Sequence, residues 1–161
     1  MSSKVAPIPE GCHTVTPSLT VSNAAKALDF YKTALGAKEL FRMATPDGSK
    51  VMHAEIQIGD SRIFVTDEFP ESSQKSPTKL SGTSVSLNLY VEDADASFDR
   101  AVKAGANSVM PVAEMFWGDR FGVVSDPFGH VWSFATHVKD LTPEEIDEGA
   151  KQAFAQMGGK S

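Results

Sequence analysis

His53 and Glu55 stand two residues apart in the run from Val51 to Ile58, and in a strand that spacing turns both side chains to one face. An imidazole beside a carboxylate can be a base and the partner that fixes its tautomer. With a third donor the same pair can clasp a divalent metal, and without one it is a polar pair bonded to its neighbours or to water. Trp117, Asp119 and Arg120 form a second group, in the run Phe-Trp-Gly-Asp-Arg at a loop-to-strand junction. There an indole offers a stacking plane and a guanidinium a planar fork for an anion. Alternatively Trp117 anchors a core and Arg120 pairs locally with Asp119 or Asp126. Of the remaining histidines, His137 ends the last strand in the parity of Ser133 and Ala135, His130 follows a turn glycine, and His13 precedes the first strand. No nucleophile stands out: Cys12 lies in an N-terminal arm, and no Gly-x-Ser-x-Gly elbow is present.

The totals narrow the classes of function. The chain has 161 residues, a formal charge of −6 and a single cysteine. That length suits one domain, or two small halves sharing a core. One cysteine rules out an internal disulfide and a thiolate metal cluster. The negative charge and the absence of a Lys/Arg run argue against a nucleic-acid backbone as partner. No apolar run approaches the roughly 18 residues of a membrane span, and the N-terminus lacks a signal-peptide core, so a cytoplasmic protein is expected.

The elements that position these residues follow from periodicity. Residues 1–13, with Pro7, Pro9 and Gly11, read as a flexible arm. Thr14 to Val21 alternates as a strand with Val15, Pro17, Leu19 and Val21 on its apolar face. Asn23 (or Ser22) caps a helix whose stripe is Ala24, Ala27, Leu28, Tyr31 and Leu35, and Gly36 stops it. Strands follow at Lys38–Met43, Val51–Ile58 and Arg62–Thr66. Residues 68–82, rich in Ser, Pro and Lys, read as a linker. The second half then repeats the first. Ser84 to Val91 is a strand, and Asp93 caps a helix with Ala94, Phe98, Ala101 and Val102 inward, ended by Gly105. Val109–Val112 is a strand, and a hairpin turns on Asp126-Pro-Phe-Gly129. The offsets are nearly constant: Val21 to Val91 is 70 (91 − 21) and Ile63 to Trp132 is 69 (132 − 63). By this duplication His53 aligns with Gly122 (122 − 53 = 69), so Arg120 is expected on the same face as His53, meeting Glu55, Asp119 or an anionic ligand. Thr142-Pro-Glu-Glu145 starts one more helix outside the repeat. The expected fold is α+β: two tandem βαβββ modules forming a cleft between curled mixed sheets, plus a C-terminal helix. On periodicity alone the polar strand faces either line that cleft or are simply solvated.

The stretch from Phe116 to His137, with Trp-Gly-Asp-Arg ahead of the Asp-Pro-Phe-Gly turn and a closing strand, resembles the end of a module in the glyoxalase/bleomycin-resistance (vicinal oxygen chelate, VOC) superfamily. It is similar in particular to the PhnB-like branch, and the resemblance covers residues 14–138. It implies a single VOC-type domain of module one (14–67), linker (68–82) and module two (83–138), with residues 139–161 a helical extension, and it favours the cleft. In metal-using members the ligands sit near the start of each module's first strand and in its last strand. Those positions here are Thr16, Phe64, Ser86 and Ser133, none a usual ligand for a divalent ion. The expectation is therefore a binding or sequestering protein for a small molecule, with no metal and no cofactor. Its ligand would be held by Thr16, Ser86, Asn88, Trp117, Arg120, Ser133 and His137, and the chain would form a homodimer. The alternative is a glyoxalase-like lyase, isomerase or transferase that uses His53 and Glu55 in acid/base or rebuilt metal roles.

Overall fold

The computed structural model describes residues 5–158. In chain order the elements are β1 (Ser18–Val21), α1 (Ala24–Leu35), β2 (Lys38–Ala44), β3 (Val51–Ile58), β4 (Ser61–Asp67) and α2 (Pro77–Leu80), then β5 (Ser86–Tyr90), α3 (Ala94–Ala104), β6 (Asn107–Glu114), β7 (Asp119–Ser125), β8 (Val131–His137) and α4 (Pro143–Gly158). They make two four-stranded mixed sheets, ordered β1-β4-β3-β2 and β5-β8-β7-β6. The two tandem βαβββ modules and the C-terminal helix expected from the sequence are present. By chain contacts the molecule divides into one unit of residues 1–84 with 127–130 and another of 85–126 with 131–161.

In the first unit, α1 begins where the Asn23 side chain accepts the Lys26 amide and ends where Gly36 takes a left-handed φ of 66°. Its buried stripe lies against all four strands of its sheet. The facing residues alternate along those strands: Leu19, Val21, Ala54, Ile56, Ile63 and Val65 are all buried. Full burial of a side chain such as Leu28 or Ile56 stabilises by about 1.5–3 kcal/mol. β1 runs parallel to β4, while β4, β3 and β2 are antiparallel neighbours. The helix start is tied to the sheet by Asp67, the last residue of β4. One of its oxygens accepts the Ala24 amide at 2.8 Å and the other the Val51 amide at 2.7 Å. Residues 127–130 complete this unit: the Phe128 ring lies 6.2 Å from Phe30 and 6.3 Å from Tyr31, edge to face.

The second unit repeats the plan with different residues. α3 covers β6, β7 and β8, over a core of Phe98, Val124, Trp132 and Phe134. Gly122 is required where α3 comes close, because a Cβ there would meet Val112 at 2.6 Å and the Phe98 ring at 3.1 Å. The Trp132 indole donates to Asp126 at 2.9 Å. Thr136 does here what Asp67 does in the first unit: its hydroxyl accepts the Ala94 amide and donates to the Val91 carbonyl, both at 2.8 Å. α4 starts with a reciprocal cap, Glu145 N–H to the Thr142 hydroxyl and Thr142 N–H to the Glu145 carboxylate. Gly149 lets it approach Phe116, where a Cβ would come within 2.9 Å.

Several expectations need correction. The first strand covers only Ser18–Val21, and Val15, assigned to its buried face, is 81 % exposed. Pro17 explains the break: it has no amide to donate, although its carbonyl still accepts from Phe64. The linker is not featureless, since Pro77–Leu80 forms a short helix closed by Ser81 at a φ of 57°. Val102, placed inward on α3, is at the helix rim and exposed. Of the arm expected over residues 1–13, residues 1–4 lie outside the described residues, as do 159–161 of the C-terminal extension.

The duplication also carries a one-residue slip. Ile56 faces Ile63 in the first unit and Val124 faces Trp132 in the second. The last strands are thus 69 apart (132 − 63) but the strands before them 68 apart (124 − 56). His53 corresponds to Phe121 rather than Gly122, and a slip of one residue reverses the face of every side chain inferred from it.

Candidate functional site

In the first unit, burial of Ala54, Ile56, Ile63 and Val65 under α1 forces their neighbours to the opposite face of the sheet. Those neighbours are His53 and Glu55 on β3 and Arg62 and Phe64 on β4, with Phe41 paired to Glu55 from β2. His53 Nε2 lies 3.3 Å from one Glu55 oxygen, and Arg62 donates to the other at 3.3 Å. The His53 ring meets the Phe64 ring edge-on at 4.8 Å and Phe41 at 6.2 Å. Arg62 is the residue sequence reasoning missed. Its guanidinium is covered by the chain at Gly11, reaches Cys12 Sγ at 3.8 Å, and keeps a buried Nε without a hydrogen-bond partner. Its alternation with Ile63 and Val65 was the available signal. Elsewhere in this unit an open hollow of about 490 Å³ is lined by residues including Ser22, Lys50, Glu68, Ser76 and Lys79, none of them in the polar group just described.

The second unit gathers a different group around Asp119, which is 4 % exposed. One Asp119 oxygen accepts the Trp117 indole N–H and the Tyr90 hydroxyl, each at 3.2 Å. The other faces His137 Nδ1 at 2.8 Å, and His137 Nε2 faces the exposed Asp140 carboxylate at 3.0 Å. Ionised carboxylates only accept, so a ring bonded to one at each nitrogen is an imidazolium. The bonds to Asp140 and then Asp119 accordingly raise the His137 pKa, and the Asp119 charge raises that of Tyr90. The segment after β8 is fixed by the Gly118 carbonyl, which accepts the Val138 and Lys139 amides at 2.9 and 3.0 Å, and by a Lys139–Glu114 ion pair. Trp117 stands edge-on to Phe116 at 5.0 Å and to Phe121 at 5.6 Å, all three rings half-exposed.

The sequence-derived candidates therefore fall into separate sets. His53 meets Glu55. Ser133, buried, donates to Asn88 at 2.6 Å. Trp117 and His137 are joined through Asp119. Thr16 is half-buried and Ser86 exposed. His130 Nε2 lies 3.2 Å from the Thr20 carbonyl. Arg120 does not share the face of His53: it grips Asp95 of α3 with two bonds of 2.7 Å, as the one-residue slip requires. Neither Asp119 nor Asp126 is its partner in that pair. Asp95 and Asp140 were not foreseen: the first lies on α3, 25 residues from Arg120, and the second in the segment after β8.

Two four-stranded mixed sheets, each with one helix packed across it and a βαβββ order, define a class of α+β protein built from a repeated module. The sequence profile of the Glyoxalase/Bleomycin resistance protein/Dioxygenase superfamily matches residues 12–134, and the chain belongs to that superfamily. It is 43 % identical over 135 residues to the uncharacterized protein Mb0911c of Mycobacterium bovis, covering 82 % of this chain and 88 % of that one. Among solved structures it is similar to the At5g48480 gene product of Arabidopsis thaliana, at 33 % identity and a TM-score of 0.62 over 76 % of this chain and 98 % of that one. A putative 3-demethylubiquinone-9 3-methyltransferase, PhnB protein, from Bacillus cereus shares the fold at 16 % identity, with a TM-score of 0.60 over 77 % and 99 % of the two chains. Phe64 and Ser133 stand at two of the places where the resemblance puts a metal ligand. Phe64 puts a phenyl ring against His53, and the Ser133 hydroxyl is bonded to Asn88. Among the described residues no group of three or more His, Cys, Asp or Glu could hold a metal.

Proposed function

We propose that this chain is a small-molecule binding protein that works without a metal, capturing or sequestering its ligand on sheet faces that combine half-exposed rings with fixed polar groups. The observation that carries the reading is Phe64. It stands at one of the metal-ligand places of the superfamily, and its ring lies edge-on to His53, 4.8 Å away. A ring at that place favours apolar contact with an organic molecule over coordination. Placement in the PhnB-like branch rests on the Trp117-Gly-Asp-Arg120 run ahead of the turn. The test is elemental analysis, with native mass spectrometry, of protein purified from cells grown with added Ni, Zn, Fe and Mn. The expected result is metal far below one equivalent and a small organic molecule retained on the chain. About one equivalent of metal per chain, lost in His53→Ala, would overturn the reading.

A second reading, a lyase, isomerase or transferase, draws on the 3.3 Å approach of His53 Nε2 to Glu55, the geometry of a base and its orienting carboxylate. Against it, Arg62 holds the other Glu55 oxygen and phenyl rings border the imidazole.

A further inference from the structure

In the second unit the His137 imidazole has a buried carboxylate at Nδ1, and its Nε2 faces an exposed one. Asp119 holds Nδ1 at 2.8 Å from a position 4 % exposed, which leaves Nε2 as the donor that faces outward. Its partner Asp140 is fully exposed and only three residues along the chain, so solvent competes for it at every moment. The same outward N–H is open to any other carboxylate that brings further contacts. Two rings share Asp119 with His137 and could supply such contacts. Trp117 and Tyr90 each tie their polar edge to the same Asp119 oxygen at 3.2 Å, which fixes the orientation of an indole and of a phenol that is 70 % exposed. Rings held this way lose little freedom when a flat molecule stacks on them.

We propose that His137 anchors the carboxylate of an aromatic acid, which displaces Asp140 from Nε2 and lays its ring against Trp117 and Tyr90. The inference rests on the small-molecule reading given above and names a ligand class for the second unit's group. Charge decides the class. Protonated His137 offers a donor at both nitrogens and Asp119 uses one, so the outward group needs an acceptor, and an amide or alcohol satisfies it less well than a carboxylate. Asp140 is then an internal competitor. Removing its charge should strengthen binding, the opposite of what a residue that contacted the ligand favourably would give. The titratable and charged groups facing His137 are Asp119 from β7 and Asp140 from the segment after β8, with the Tyr90 hydroxyl of β5 sharing Asp119. The site should weaken as pH rises and the imidazolium loses its proton.

Isothermal calorimetry with 2-naphthoate and its neutral isostere 2-naphthamide tests this on the full chain, in wild type, His137→Gln and Asp140→Asn. Both positions are exposed, and a thermal melt checks that each variant is folded. Naphthoate should bind about tenfold more tightly than naphthamide near pH 6, the ratio expected for one charge-assisted bond. The preference should vanish near pH 9 and in His137→Gln. Asp140→Asn should tighten naphthoate by about threefold. Equal affinity for the two probes, absence of naphthoate binding in both wild type and Asp140→Asn, or weaker binding in Asp140→Asn would each overturn the inference. Naphthoate binding untouched in His137→Gln would also overturn it while leaving the protein a binder at another place. The metal and retained-ligand measurements judge that broader reading independently.

Discussion

Asp67 links three elements of the first unit through one carboxylate, and its removal has a calculable cost. In Asp67→Ala the Ala24 amide at the start of α1 and the Val51 amide at the start of β3 both lose a buried, charged acceptor. Hydrogen bonds to a charged group contribute about 1.5–3 kcal/mol each, and a carboxylate at a helix N-terminus adds about 0.3–1 kcal/mol. The two bonds share one side chain and are not additive, so the expected loss is about 3–5 kcal/mol. For a chain of this size each kcal/mol lowers the melting temperature by about 2–4 °C, which puts the shift near 10 °C. Asp67→Asn keeps one carbonyl oxygen and turns an amide donor toward the other N–H, so it should lose about half as much or more. Thr136→Val is the matched change in the second unit. It removes a neutral acceptor from Ala94 and a donor to Val91 and should cost about 1–2 kcal/mol. Urea unfolding gives all three, read from the midpoint at unchanged slope. If the units unfold separately, Asp67 variants should move only the first unit's transition. A loss below about 1 kcal/mol in Asp67→Ala, or a Thr136→Val loss equal to it, would refute the assignment of these caps as the link between strand end and helix start.

Two further outcomes are expected. The hydroxyl and backbone N–H of Ser76, with Lys79 behind them, hold the Glu68 carboxyl down to about 2, so the contact is present above the usual carboxylate range and is lost as pH falls from about 4.5 toward 2. The Ser76 amide resonance should titrate with a midpoint near 2, and a midpoint at the ordinary glutamate value would mean the bond is absent in solution. A homodimer, expected from the sequence, is proposed as well, because β2 and β6 lie at sheet edges and such edges invite pairing. Light scattering should return about twice the 17.3 kDa chain mass at micromolar concentration, and a single-chain mass there would exclude it.

The architecture was legible because it is written in apolar periodicity and caps, which depend on near neighbours. Asn23, Gly36, Asp93 and Gly105 bound the two helices as read, and the stripe of α1 is the buried one. The capping box at Thr142 is formed with both of its bonds. Contacts made across the chain were less legible. His53 beside Glu55 was found because a strand's two-residue repeat guarantees it. Asp119 as the meeting point of Tyr90, Trp117 and His137 was not, since Tyr90 and His137 lie on β5 and β8 and only the pairing register brings them to Asp119, which Trp117 reaches from the turn just before β7. Arg120 failed for a sharper reason. Its face was inferred through an alignment of two strands, and a single residue gained in the longer turn between β7 and β8 was enough to send it to α3.

That slip also bears on how the two halves divide their chemistry. With last strands 69 apart and the preceding strands 68 apart, His53 and Glu55 correspond to Phe121 and Val123, and Arg62 corresponds to Val131. In the other direction Asp119 corresponds to Val51 and His137 to Glu68. Neither polar group is repeated, although the buried positions Ile56 and Val124, or Ile63 and Trp132, are apolar in both units. Even the shared cap is made by a carboxylate in one unit and a hydroxyl in the other. A core position accepts any apolar side chain of suitable volume, so the repeat survives there. A polar group needs every partner at once, and changing one removes the reason for the others. The polar groups around His53 and around Asp119 therefore differ on one repeated scaffold, and under the proposed reading a variant in one should leave the ligand response of the other unchanged.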